Sequence, residues 1–170
     1  MKTRMIMLLL SFLSWGAYAQ HDHAAQGDSK DQAQGHVMFT DEKVGAAYSH
    51  YLHLKDALVA SKSVEAKKAA SELQKSLTTL SNAKKATESA SRIAAATDLN
   101  IQRREFSVLS NEMTVLIKAS KLSMGSIYLE YCPMANSNEG AFWLSNEKQI
   151  KNPYFGDAML RCGSVKETIQ

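Results

Sequence analysis

The 170-residue sequence has few of the residues that usually mark a catalytic site. It contains only two cysteines and two prolines. It has no Cys-x-x-Cys, no glycine-rich phosphate loop, and no Ser/His/Asp order or pair of recessed carboxylates that would indicate catalysis. We therefore predict that the protein is not an enzyme.

The sequence also lacks an apolar run long enough to span a bilayer, which takes about 20 residues. Its most apolar stretch, residues 5–15, follows Lys2 and Arg4 and precedes a small-x-small sequence (AYA) at residues 17–19. This order is typical of a secretory signal peptide, so we predict cleavage after residue 19 and a periplasmic or secreted protein without a membrane span. No cysteine follows that site, which argues against a lipid anchor.

A large charge excess is missing as well. The formal net charge of +3 falls by two, to +1, when the predicted signal peptide takes Lys2 and Arg4 with it. A nearly neutral chain has no electrostatic reason to bind nucleic acid or an anionic membrane surface. We therefore expect neither as a partner.

Residues 20–39 are mostly polar and have no apolar period, so they are predicted to form a disordered leader. Three histidines lie in this leader: His21, His23 and His36. A His-x-His sequence near a free N-terminus is able to capture a divalent metal loosely, and copper(II) is the candidate. The alternative is a solvated tail in which the histidines have no role.

No proline occurs between residues 40 and 125, and apolar residues recur there at spacings of three and four. This period predicts four helices, over about 40–61, 63–81, 84–96 and 98–125. Thr40, Ser63 and Asp98 are the predicted N-caps. Short connections favour an up-and-down four-helix bundle, and the pattern argues against strands in this region.

His50 and His53 lie three residues apart on the first predicted helix and therefore share a face. They fall beside the apolar stripe, and no acidic neighbour completes a zinc signature. We expect them to face solvent, with metal binding as the alternative.

The spacing changes after Gly125. A strand is predicted over 127–132, a turn over 135–140, a returning strand over 141–144, a short helix between Asn152–Pro153 and Gly163, and a last strand over 164–169. The predicted fold class is thus mainly α, a four-helix bundle with a small C-terminal β-hairpin and short-helix appendage. We assign residues 40–170 to one domain, with residues 126–170 as its cysteine- and methionine-bearing subdomain.

Each cysteine of this subdomain has a methionine close to it in sequence. Cys132-Pro133-Met134 forms a rigid corner, because proline restricts the preceding residue to extended geometry. Met159 and Cys162 share one face of a helical turn. If the hairpin brings corner and turn together, the four sulfurs converge, and thiolates with thioethers favour Cu(I) over hard cations.

Two other interpretations of the cysteines remain open. A disulfide between Cys132 and Cys162 would stabilise the fold by about 3.6 kcal/mol in the chain-entropy estimate. Met134 and Met159 would then be packing residues, as methionine usually is. A redox pair is less favoured, because the sequence has no Cys-x-x-Cys.

Several segments resemble an uncharacterised secreted bacterial domain family. They are YLHLKDALVAS from Tyr51, YCPM from Tyr131, GAFWLS from Gly140, NPYFG from Asn152 and MLRCG from Met159. Members of that family occur alone or fused to periplasmic adaptor subunits of copper/silver efflux pumps. The resemblance covers nearly all of the chain from about residue 40 onward.

The resemblance implies Cys132, Met134, Met159 and Cys162 as metal ligands, copper as the metal and an efflux adaptor protein as a partner. The YCPM sequence is also similar to the opening of a short heavy-metal-binding domain. That domain continues with His-Pro, whereas Ala135-Asn136 follow here, so its histidine ligand is missing. The expected function is copper handling, and the alternative is a disulfide-stabilised structural or docking domain.

Overall fold

Four long helices make up about half of the described part of the chain. The computed structural model describes residues 35–170, so the predicted signal peptide, His21 and His23 lie outside the described residues. The helices are α1 (Glu42–Val59), α2 (Ser63–Leu77), α3 (Lys84–Ala95) and α4 (Leu99–Lys118). The prediction of a mainly helical protein is confirmed. None of the helices within 35–170 is long and apolar enough to cross a membrane.

Each helix buries the apolar stripe that the sequence predicts. Fully buried members include Leu54, Leu58, Leu73, Leu77, Ile93, Phe106, Leu109 and Met113. Burying one such side chain contributes about 1.5–3 kcal/mol, so these stripes supply much of the driving force for folding. Each helix packs chiefly against the next one along the chain, and α1 also contacts α4.

The helix N-termini confirm one predicted cap and correct two. The side chain of Asp98 accepts hydrogen bonds from the backbone N–H groups of Asn100 and Ile101. The cap of α1 is Asp41, not Thr40, because its carboxylate accepts from the N–H of Lys43. Helix α2 already includes Ser63, and the preceding lysine makes no side-chain capping bond.

A small two-stranded sheet contradicts two predictions. Helix α4 ends at Lys118 and not near residue 125, and Leu122–Met124 forms strand β2. Its antiparallel partner is β1 (Met38–Phe39), which the sequence analysis placed in the disordered leader. The two strands are about eighty residues apart, so a local period does not reveal their pairing. Phe39 is also buried in the core, which provides the apolar contact that orders this end of the leader.

The C-terminal third contains a three-stranded antiparallel sheet, which includes the predicted hairpin. Its strands are β3 (Ile127–Cys132), β4 (Ala141–Ser145) and β5 (Ser164–Ile169), in the order β4-β3-β5. Between β4 and β5 lies a short 3-10 helix, Gly156–Met159. The predicted hairpin, short helix and last strand are all present.

Tyr51 joins this sheet to the helices. Its fully buried hydroxyl accepts a hydrogen bond from the backbone N–H of Leu144 on β4 and shares another with Ser110 of α4. Its ring stacks on Phe106 with 5.2 Å between centroids. Edge strand β4 is thereby held against α1 and α4, which fixes the position of β3 beside it.

Candidate functional site

Cys132 is the last residue of the central strand. It lies opposite Ala141 in the β3–β4 ladder, and its side chain is fully buried. Pro133 follows directly and has no N–H for a further ladder bond, so the strand ends there. The thiol is therefore fixed by the ladder and covered by the core.

A left-handed turn follows Pro133. Asn136, Ser137 and Asn138 have φ values of 50°, 58° and 71°, a conformation that costs free energy in residues other than glycine. The amide Nδ2 of Asn136 donates a hydrogen bond of 2.8 Å to Ser107 Oγ of α4. This bond anchors the strained turn to the helical part of the molecule. The predicted turn is thus present, but its handedness was not foreseen.

Cys162 comes after the 3-10 helix, and one residue, Gly163, separates it from β5. Its backbone N–H donates to Met159 O at 3.0 Å, which closes the turn on which the sequence placed both residues. Gly163 follows with φ of 140°, and a Cβ there would lie 2.8 Å from Trp143 Cη2. Only glycine lets the chain pass this close to the indole, and Cys162 is thereby brought beside the end of β3.

The two cysteine sulfurs meet at the end of the sheet. Cys132 Sγ and Cys162 Sγ are 3.0 Å apart, and both cysteines are free thiols. Cys132 is fully buried and Cys162 is partly exposed, so the pair has one side open to solvent. The hydrogen bond to Cys132 raises the pKa of the Cys162 thiol, and burial acts in the same direction.

The distance of 3.0 Å is longer than a disulfide bond and shorter than the separation of two thiolates that bind one metal ion. A disulfide has a sulfur–sulfur distance of about 2.05 Å. Two thiolates bound to one metal at about 2.3 Å each are roughly 3.8 Å apart in tetrahedral geometry. Either product requires each side chain to move by less than about 1 Å, so the pair suits oxidation as well as metal binding.

The two methionines occupy different surroundings. Met134 is 47% exposed and lines a surface groove with Arg104, Asn138 and Phe155, among other residues, but with neither cysteine. Met159 is half-buried at the end of the 3-10 helix, three residues before Cys162. Of the four sulfur residues predicted as ligands, the geometry thus brings Cys132 and Cys162 into contact.

The histidines lie far along the chain from this pair. His36 is exposed, and it lines a cavity together with His53. His50 and His53 make an edge-to-face ring contact at 6.1 Å; His53 is exposed and His50 half-buried. Among residues 35–170, no three or more His, Cys, Asp or Glu residues form a group that would hold a metal ion.

Sequence reasoning missed two buried polar residues near the cysteines. Asn152 is fully buried and donates a hydrogen bond from Nδ2 to Cys162 O at 2.8 Å. Glu130, two residues before Cys132 on β3, is fully buried, and neither carboxylate oxygen has a hydrogen-bond partner. Burial raises the pKa of Glu130 to about 8, although nearby Lys55 opposes this.

The sequence features that accompany these two residues differ. Asn152 precedes a proline, and from the sequence this pair predicted only the start of the short helix. Glu130 lies on the strand opposite Trp143, and the alternating pattern did not reveal that both faces of β3 are covered. A glutamate in an otherwise apolar and aromatic strand was the available signal.

The fold and site define a mainly helical protein whose small terminal sheet carries a dithiol pair. Residues 47–125 match a family model described as "Protein of unknown function (DUF3347)". The match covers most of α1 and all of α2 to α4, and it ends before either cysteine. It agrees with the expected uncharacterised domain. No curated protein and no solved structure matches the chain.

Proposed function

We propose that the protein is a non-enzymatic soft-metal-binding protein, best suited to Cu(I), with Cys132 and Cys162 as thiolate ligands. The observation that carries the proposal is the 3.0 Å approach of the two sulfurs at a partly exposed position. Thiolates are the ligands that soft, low-charge metals prefer. Two of them held together by the fold need little rearrangement to bind one ion.

We assign the methionines as supporting ligands. Met159 lies one turn before Cys162, and Met134 lies two residues after Cys132. Each thioether is therefore close in sequence to one thiolate. Exposed Met134 suits capture or release of the metal, since its thioether is accessible to solvent. His21, His23 and His36 remain candidates for a looser Cu(II) site.

The setting of this function is also part of the proposal. The signal-like N-terminus supports export to the periplasm or beyond, and the resemblance to domains fused to copper/silver efflux adaptors supports an adaptor protein as partner. We further propose that the four helices form an up-and-down bundle. The short connections and the contact of α1 with α4 support this arrangement.

A competition titration tests the metal proposal. Reduced protein is titrated anaerobically with Cu(I) against a chelator of known affinity, beside the Cys132→Ser/Cys162→Ser double variant. We expect the double variant to bind at least about 100-fold more weakly, because it lacks both anionic ligands. Equal, weak binding by both proteins would refute the proposal.

The methionine roles have a matched control. Met134→Leu and Met159→Leu are each compared with Met124→Leu, which alters an exposed methionine on β2. We expect about a tenfold loss of affinity for a thioether that binds the metal and no change for the control. If all three variants equal the wild type, the site consists of the thiolates alone.

A second candidate is a disulfide-stabilised structural or docking domain without metal. It is favoured by the same short distance, because the sulfurs lie within about 1 Å of bonding. A count of free thiols on protein taken from its native compartment distinguishes the two. A count of two reactive thiols contradicts the disulfide, whereas a count of zero supports it.

A further inference from the structure

We propose that Asn152 is a positioning residue for the dithiol pair, which holds the backbone of Cys162 so that its thiol meets Cys132. The inference rests on the proposed role of this pair as the functional site. The backbones of the two cysteines are held in place to different degrees. Cys132 is held by a strand ladder on β3, whereas Cys162 lies in a segment with only one 3-10 turn.

Asn152 makes four hydrogen bonds that close this segment into a loop. Its side-chain Nδ2 donates to Cys162 O at 2.8 Å, and its Oδ1 accepts from the N–H of Tyr154 at 2.8 Å. Its backbone N–H donates to Leu160 O at 2.9 Å, and its carbonyl accepts from the N–H of Gly156 at 3.0 Å. Every one of these bonds is local to residues 152–162.

The bond to Cys162 fixes the carbonyl of the cysteine itself. Its donor, Asn152, is fully buried, so the amide that holds this carbonyl is itself held in place by the surrounding packing. On the other side of the cysteine, β5 begins at Ser164, which pairs with Tyr131 of β3. Cys162 is therefore held from two sides, by Asn152 and by the ladder.

This arrangement predicts that Asn152 governs how often the two sulfurs are close enough to react. Without the amide donor, the chain before Cys162 gains freedom while Cys132 stays fixed by its strand. The effective concentration of one thiol at the other then falls, which weakens disulfide formation and metal binding together. The loss is specific to the pair, because the core contacts of the helices are unchanged.

The experiment measures the equilibrium between the dithiol and oxidised glutathione. Each protein disulfide that forms releases two molecules of reduced glutathione, which carry away the two thiol hydrogens and two electrons. We expect Asn152→Ala to lower the equilibrium constant at least about tenfold, which corresponds to about 30 mV for this two-electron couple. The measurement is made at a temperature well below the unfolding midpoint of each protein. Every variant is then folded, and a difference in global stability does not affect the equilibrium constant.

Arg103→Met is the matched control. Arg103 binds the same loop through Pro153 O at 2.9 Å and ties it to α1 through Leu58 O and Ser61 Oγ, but it does not touch Cys162. We expect this variant to lower stability and to leave the glutathione equilibrium within about threefold of wild type. An unchanged equilibrium in Asn152→Ala, or an equal fall in both variants, overturns the proposal.

A second variant covers the case in which the alanine variant does not fold. Asn152→Ser keeps a side-chain oxygen for the N–H of Tyr154 and removes the amide that reaches Cys162. The same tenfold fall is expected. If neither variant folds, Asn152 acts on global stability and the positioning role is wrong. The glutathione assay contains no metal, so a failed Cu(I) titration beside a shifted equilibrium refutes the metal function alone.

Discussion

Glu130 is a carboxylic acid that the fold buries on β3. It is completely covered on β3, and its carboxylate oxygens have no hydrogen-bond partners. Burial raises its pKa from 4.5 to about 8, whereas nearby Lys55 and the indole of Trp143 favour the charged form. The indole N–H faces the carboxyl but falls short of hydrogen-bond geometry. At neutral pH, the folded protein therefore holds a proton that the unfolded chain releases.

This difference predicts how stability depends on pH. Below pH 4.5 both states are protonated, and the folded state loses no stability through Glu130. As the pH rises towards 8, stability falls by up to about 1.4 kcal/mol per pH unit, because the unfolded state binds fewer protons. Glu130→Gln removes this loss. Urea unfolding of the metal-free proteins from pH 5 to 8 should show the variant gaining on the wild type, and parallel curves would contradict this.

The two cysteines also differ in exposure, and their reactivity should follow. In the native reduced protein, iodoacetamide should alkylate partly exposed Cys162 and spare buried Cys132. The reaction should be slow at pH 7, since the hydrogen bond to Cys132 raises the pKa of Cys162 and thiolate is the reactive form. Peptide mass spectrometry measures each site, and labelling in denaturant is the control in which both react. Equal native labelling would contradict the observed burial.

At the scale of elements, α4 contacts the other helices, the left-handed turn and the sheet. A loss of stability at its N-cap should therefore be felt by the whole fold. Asp98→Ala removes the acceptor for two backbone N–H groups and a negative charge at the helix N-terminus. We expect a loss of about 1 kcal/mol in the free energy of unfolding. Asp157→Ala, at an exposed position in the 3-10 helix, is the control and should have little effect. Unchanged stability of the Asp98 variant would show that the cap is dispensable.

The elements also show how far the sequence predicts this structure. The helices were predictable because burial of one face repeats at a local period that each segment carries by itself. Strands β1 and β2 were not, since their pairing depends on residues far apart. The contact of Cys132 with Cys162 was predicted only on the condition that the hairpin met the turn. The role of Asn152 was invisible, because its partner carbonyl lies ten residues away.

At the scale of the whole molecule, the dithiol pair connects the two ends of the C-terminal subdomain. Cys132 ends the central strand, and Cys162 leads into the edge strand that pairs with it. The sheet is in turn fixed to the helices by the buried hydroxyl of Tyr51. A change of state at the sulfurs therefore acts on the link between β3 and β5.

This connection predicts opposite effects of oxidation on stability and on metal binding. A bond between Cys132 and Cys162 closes a loop of about thirty residues and should raise the free energy of unfolding by about 3.6 kcal/mol. The same bond removes both thiolates, so Cu(I) binding should be lost. Protein oxidised with oxidised glutathione is compared with reduced protein by urea unfolding and by Cu(I) titration, with Cys132→Ser/Cys162→Ser treated identically. Oxidised wild type that still binds Cu(I) with the affinity of the reduced form would place the metal site elsewhere. An oxidised form no more stable than the reduced one would show that the disulfide strains the sheet.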